Sequence, residues 1–128
     1  MLSKEEIRER AEYCYLVFHQ LSCLRGEEGI LPHEYLKRLE GSSLKLAEDP
    51  FICAVIEEDI KLGTPDGGLN YLTALYEGFT HAYCEVIEMK VEDLRDSIPA
   101  DLLRKLATEV SAGRRKRIFI PPGVEGET

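Results

Sequence analysis

The sequence predicts an all-α protein: a helical bundle of about five helices with a C-terminal extended arm that is both basic and apolar. Three observations carry this. Apolar residues recur at three- and four-residue spacing through most of the chain. Helix start and stop signals bracket those stretches, leaving only short connections. No segment alternates apolar and polar as a half-buried strand does, apart from Arg117-Ile118-Phe119-Ile120 in the arm.

The first helix is expected from Ser3 to about Arg25. Ser3-x-x-Glu6 is a capping box, in which serine oxygen and glutamate carboxylate satisfy each other's free amides. Ile7, Ala11, Cys14, Phe18, Leu21 and Leu24 then fall on one arc, widened by Tyr13, Tyr15 and Val17. Gly26 ends the helix, and Gly29 completes the turn. Pro32 suits the first turn of a second helix running to about Glu48, with Leu36, Leu39 and Leu46 on its apolar side. Gly41-Ser42-Ser43 interrupts it, so the segment reads as one kinked helix or two short ones.

A third helix opens on Asp49 as N-cap and Pro50 at the first helical position, and stops before Gly63. Ile52, Val55, Ile56 and Ile60 are its expected inner residues. Thr64-Pro65-Asp66-Gly67-Gly68 is a turn. The fourth helix runs from Leu69 to about Lys90, with Leu72, Leu75, Tyr76, Phe79, Ala82, Tyr83 and Val86 on its apolar arc. The last spans about Pro99 to Ala112, carries Leu102, Leu103, Leu106 and Val110 inward, and ends at Gly113. Residues 1–113 thus form a single helical domain, and 114–128 the arm.

Composition bounds the function. The 128 residues are 44% hydrophobic and 31% charged, which supports a true core and excludes a disordered chain. No run approaches the ~20 apolar residues of a membrane span, so no membrane partner is expected. Met1-Leu2 leads straight into Ser3-Lys4-Glu5-Glu6, unlike an export signal, and a cytoplasmic location follows. Gln20 and Asn70 are the only amide side chains, beside 18 Glu, 7 Lys and 9 Arg, a thermophile-like composition. Cys14, Cys23, Cys53 and Cys84 match no close-paired metal or iron–sulfur spacing and read as reduced, mostly buried thiols.

The net charge of −8 is unevenly placed. Residues 113–128 carry Arg114, Arg115, Lys116 and Arg117 against Glu125 and Glu127, leaving −10 on the rest. An acidic body repels a phosphate backbone, so nucleic-acid association would rest on that tail alone. Ile118, Phe119 and Ile120 follow the basic run, and Pro121-Pro122 would stop any ladder they formed. Three large apolar residues beyond the last helix are costly in water, which makes Arg114–Ile120 a candidate binding segment.

One pattern suggests a divalent metal. Glu77, His81, Glu85 and Glu88 fall within about 80° of one another on the fourth helix. Glu12 and His19, seven apart on the first helix, would complete a carboxylate–imidazole set, although the Glu-x-x-His pair of di-iron bundles is missing. The stripe lies opposite its helix's own apolar arc, which reads more simply as a solvated face. His19 with Cys23, and His81 with Cys84, are a weaker zinc pattern. No nucleophile elbow or phosphate loop is present.

The leading expectation is therefore a non-catalytic acidic module, acting as a homo-oligomer or as an accessory subunit with another protein, and without a cofactor. The alternatives are a metal-dependent helical hydrolase acting on a phosphorylated small molecule and nucleic-acid association through the basic tail.

Overall fold

The computed structural model of the chain describes residues 1–27, 29–63 and 67–111. Among them the protein is an all-α helical bundle: α1 (Lys4–Arg25), α2 (Pro32–Leu39), α3 (Pro50–Leu62), α4 (Gly67–Val86), α5 (Val91–Asp96) and α6 (Ala100–Val110), with a 3-10 turn at Leu46–Glu48. The arm residues Arg114, Arg115, Lys116, Arg117, Ile118, Phe119 and Ile120 lie outside the described residues. No described helix is long and apolar enough to cross a membrane.

Local chemistry sets most helix ends. Ser3 Oγ accepts the Glu6 amide at 3.1 Å while Glu6 Oε1 accepts the Ser3 amide at 2.8 Å. Asp49 Oδ1 accepts the amides of Phe51 and Ile52 at 2.9 and 3.0 Å, and Pro50, which has no amide hydrogen, needs no acceptor. Gly63 closes α3 at φ 67°, a left-handed conformation that glycine adopts without a Cβ clash.

The second segment is broken at Gly41-Ser42-Ser43, as two short pieces rather than one kinked helix: α2 stops at Leu39, and only the 3-10 turn follows. Tertiary packing fits the break. A Cβ on Gly41 would stand 3.3 Å from the Glu109 carbonyl oxygen, and Ser42 turns inward to be buried. The fourth helix ends at Val86, short of Lys90, where Glu88 takes a left-handed φ of 57° and the Met89 amide donates back to the Cys84 carbonyl. The short helix α5 has no counterpart in the sequence reading. It buries only Leu94, too little for a periodic signal.

α1 lies along α4 and contacts α6 and α5, while α3 packs on α4 and α2. The main core joins Val17, Leu21 and Leu24 of α1 to Tyr35, Leu39, Ile52, Ile56, Leu69, Leu72 and Val110. Full burial of each such aliphatic side chain is worth about 1.5–3 kcal/mol. A smaller cluster of Ala11, Cys84 and Leu94 seats α5 against α1 and α4.

Two positions correct the expected inner faces. Gln20, one of the two amides, is fully buried on α1. On α3, Asp59 is 5% exposed while Ile60 is 38% exposed.

Candidate functional site

The acidic stripe of α4 behaves as its position on the wheel implies. Glu77, His81, Glu85 and Glu88 are all exposed. His81, Glu85 and Glu88 border a shallow surface depression with Lys90 and Glu92. The α1 residues meant to complete the set are engaged elsewhere. Glu12 stands 3.6 Å from Arg8 on its own helix. His19 faces α6, with Nε2 3.0 Å from the Leu103 carbonyl oxygen. Among the described residues no group of three His, Cys, Asp or Glu is placed to hold a metal ion.

The thiol–imidazole pairs do not assemble either. A carbonyl oxygen only accepts, so His19 Nε2 carries a proton and donates it to Leu103. That nitrogen, 3.8 Å from Cys23 Sγ, has no lone pair left to take the thiol proton. On α4, His81 is exposed whereas Cys84 is buried, and among the described residues no further ligand joins them. Burial is the main reason that all four thiols sit above their ordinary value, and Cys14 is pushed up to about 11. Thiols held in that form are poor nucleophiles at neutral pH.

What the fold brings together is an apolar face along α1 and α4. These helices run antiparallel: Arg25 at the end of α1 donates to Asn70 and Thr73 near the start of α4, while Ile7 lies by Val86. α3 covers only the first turns of α4, through Gly68 and Tyr71. Beyond them, Leu2, Tyr13, Phe79 and Val86 are 38%, 42%, 41% and 67% exposed. A groove of about 450 Å³ follows this face, lined by Leu2, Tyr13, Cys14 and Tyr83 and bordered by Glu6, Glu9 and Arg10.

Tyr76 lies in the core beneath Phe79. It is buried, packs edge-on against Phe79 at 5.6 Å, and has its phenol pushed up to about 12, mainly by burial with the Asp49 charge adding. Tyr13, Phe79 and Val86 belong to apolar arcs that the periodicity assigns to the core. The arcs are wider than the neighbouring helices cover, so their edges stay at the surface.

A second concavity lies between α3 and α4, about 420 Å³, with Phe51, Leu62 and Tyr71 at the surface and Asp59 and Gly68 deeper. The signal for Asp59 is in the helical wheel. It falls about 20° from Ile52, whereas Ile60 falls about 80° away. Compared with protein-family models, curated proteins and solved structures, the chain finds no match.

Proposed function

We propose that this chain is a non-catalytic acidic helical module that works in an assembly, with a second copy of itself as the first partner. The observation that carries this is the grouping of Leu2, Tyr13, Phe79 and Val86 on one exposed α1–α4 face. Scattered surface hydrophobes are ordinary, but a contiguous set with aromatic members and a polar rim is the composition of an interface. The two helices have 22 and 20 residues, so the face is about 30 Å long, enough for a standard contact. Arg10, beside Glu6 and Glu9, gives a rim of mixed charge that can complement its own two-fold image. A role as accessory subunit with another protein would use the same face.

Native mass spectrometry and light scattering on the full chain test the reading. The expected mass is twice 14.5 kDa, falling to 14.5 kDa in Phe79→Glu/Val86→Glu with helicity unchanged. A wild-type chain that stays at 14.5 kDa at micromolar concentration, or a variant that keeps the doubled mass, overturns it.

A further inference from the structure

The basic and apolar arm has no part in the assembly reading, and the described surface holds a counterpart for it. The concavity between α3 and α4, about 420 Å³, is lined by Phe51, Val55, Leu62 and Tyr71 together with Glu58. Phe51, Leu62 and Tyr71 are 45%, 68% and 52% exposed, so three large apolar side chains meet water on one face. Phe51 and Tyr71 stand together, with ring centroids 6.4 Å apart. A contiguous patch of this kind marks a docking surface. The helix that carries most of it is acidic. α3 holds Glu57, Glu58 and Asp59 against Lys61 alone, and both glutamates are exposed.

The arm has the complementary chemistry. Arg114, Arg115, Lys116 and Arg117 bring four positive charges, and Ile118, Phe119 and Ile120 follow at once. The α1–α4 groove is a poorer match for that charge, because Arg10 stands among its bordering carboxylates. The position of the exit agrees. Near the end of α6, Glu109 Oε1 is 2.9 Å from Gln20 Nε2, and the Val110 carbonyl accepts from Arg38 of α2 at 2.7 Å. Little more than a turn beyond Gln20, Arg25 donates to Asn70, the neighbour of Tyr71. The chain therefore leaves α6 at the end of the bundle where α4 begins. α6 contacts α2 and α2 contacts α3, two helix spacings of about 8–10 Å each. A fully extended stretch as long as residues 112–118 reaches about 23 Å, which covers that distance.

We propose that the α3–α4 concavity is the docking site of this chain's own arm, with Ile118, Phe119 and Ile120 covering Phe51, Leu62 and Tyr71 and the basic run lying along Glu57 and Glu58. Docking removes both apolar sets from water and sets the positive run against the acidic body. The α1–α4 face takes no part in it, so it stands apart from the assembly reading.

The chain contains no tryptophan, so Phe119→Trp in the full chain places a single indole in the arm. Its emission is expected to be blue-shifted from that of a free tryptophan amide and shielded from acrylamide, and to stay so on dilution. Adding Leu62→Glu/Tyr71→Glu, at positions already exposed, is expected to abolish both effects with helicity unchanged, whereas adding Phe79→Glu/Val86→Glu leaves them intact. Emission like that of the free amide overturns the proposal. A blue shift lost on dilution assigns the concavity to a second copy's arm, and one that survives Leu62→Glu/Tyr71→Glu places the arm elsewhere; either result overturns it. A second measurement needs no indole. Replacing Ile118, Phe119 and Ile120 together by serine is expected to move the amide NMR signals of Val55, Leu62 and Tyr71 in the labelled full chain, and unmoved signals there also overturn the proposal.

Discussion

Ser42 Oγ donates a 2.6 Å hydrogen bond to Gln20 Oε1 in the interior of the bundle. The two residues are 22 positions apart, and both are buried. Around this pair the network closes. Gln20 Nε2 donates to the Leu106 carbonyl at 2.8 Å and to Glu109 Oε1 at 2.9 Å; Ser43 N donates to the same carboxylate oxygen, and Leu44 N donates to Ser42 Oγ. Three pieces of chain, α1, the α2 exit and α6, are thereby held in one register.

Breaking that network from one side leaves its other side unpaired. Ser42→Ala strands Gln20 Oε1 and the Leu44 amide, and is expected to cost about 1–3 kcal/mol. Gln20→Leu has a similar cost. The double variant is expected to lose clearly less than the sum, because the two side chains satisfy each other. Urea unfolding midpoints of the four proteins at constant slope decide this. Simple additivity would mean that the pair contributes no coupling.

Two glycines of α4 should respond to alanine in opposite directions. A Cβ on exposed Gly78 meets nothing within 4 Å, so Gly78→Ala is expected to stabilise by about 0.5–1 kcal/mol through helix propensity. At Gly68 the new methyl meets the Val55 carbonyl and Asp59 Cβ at 3.2 Å. Both belong to α3, whose backbone has little room to yield, and the expected loss is about 1–3 kcal/mol. If both variants gained stability by thermal unfolding, α3 and α4 would not approach as closely as described.

Alkaline pH should destabilise the fold earlier than it ionises the native core. In the unfolded chain Cys14 and Tyr76 lose protons near their ordinary values of 9.0 and 10.0; in the folded chain they do so near 11 and 12, chiefly because they are buried. Between those limits the unfolded chain binds fewer protons than the folded one. Stability is therefore complete below pH 9 and declines from there to about 12. Tyr76→Phe is expected to flatten the upper part of the decline. Urea midpoints measured across this range for both proteins check it, and identical curves would count against the assignment.

The stripe on α4 should be thermodynamically silent. His81→Ala and Glu85→Gln alter exposed side chains and are expected to change stability by less than about 0.5 kcal/mol. Treating the full chain with a chelator should leave its melting curve in place. A lowered melting temperature after chelation, restored by a divalent metal, would return Glu77, His81 and Glu85 to the role of ligands.

The signals that were legible in the sequence are short-range ones. A capping box joins Ser3 to Glu6, Asp49 caps amides two and three residues ahead, and Gly63 supplies a left-handed residue at the end of α3. Each is complete within a few residues, so reading it needs no knowledge of what packs beside it. The all-α class follows from the same locality. The candidate site was legible only in part. The exposure of Glu77, His81, Glu85 and Glu88 follows from their position opposite the apolar arc of α4, whereas Tyr13 and Phe79 carry the same periodic signal whether a neighbour covers them or not.

What the sequence by itself determined is where helices begin and which stripe of each is apolar. The tertiary structure alone decided how much of each stripe is covered and that Ser42, just past the break at Gly41, reaches Gln20. The reason is the range of the interactions. A cap is satisfied by its own next turn, but burial and polar pairing depend on groups dozens of residues away, and only the packed bundle brings them within a few ångströms.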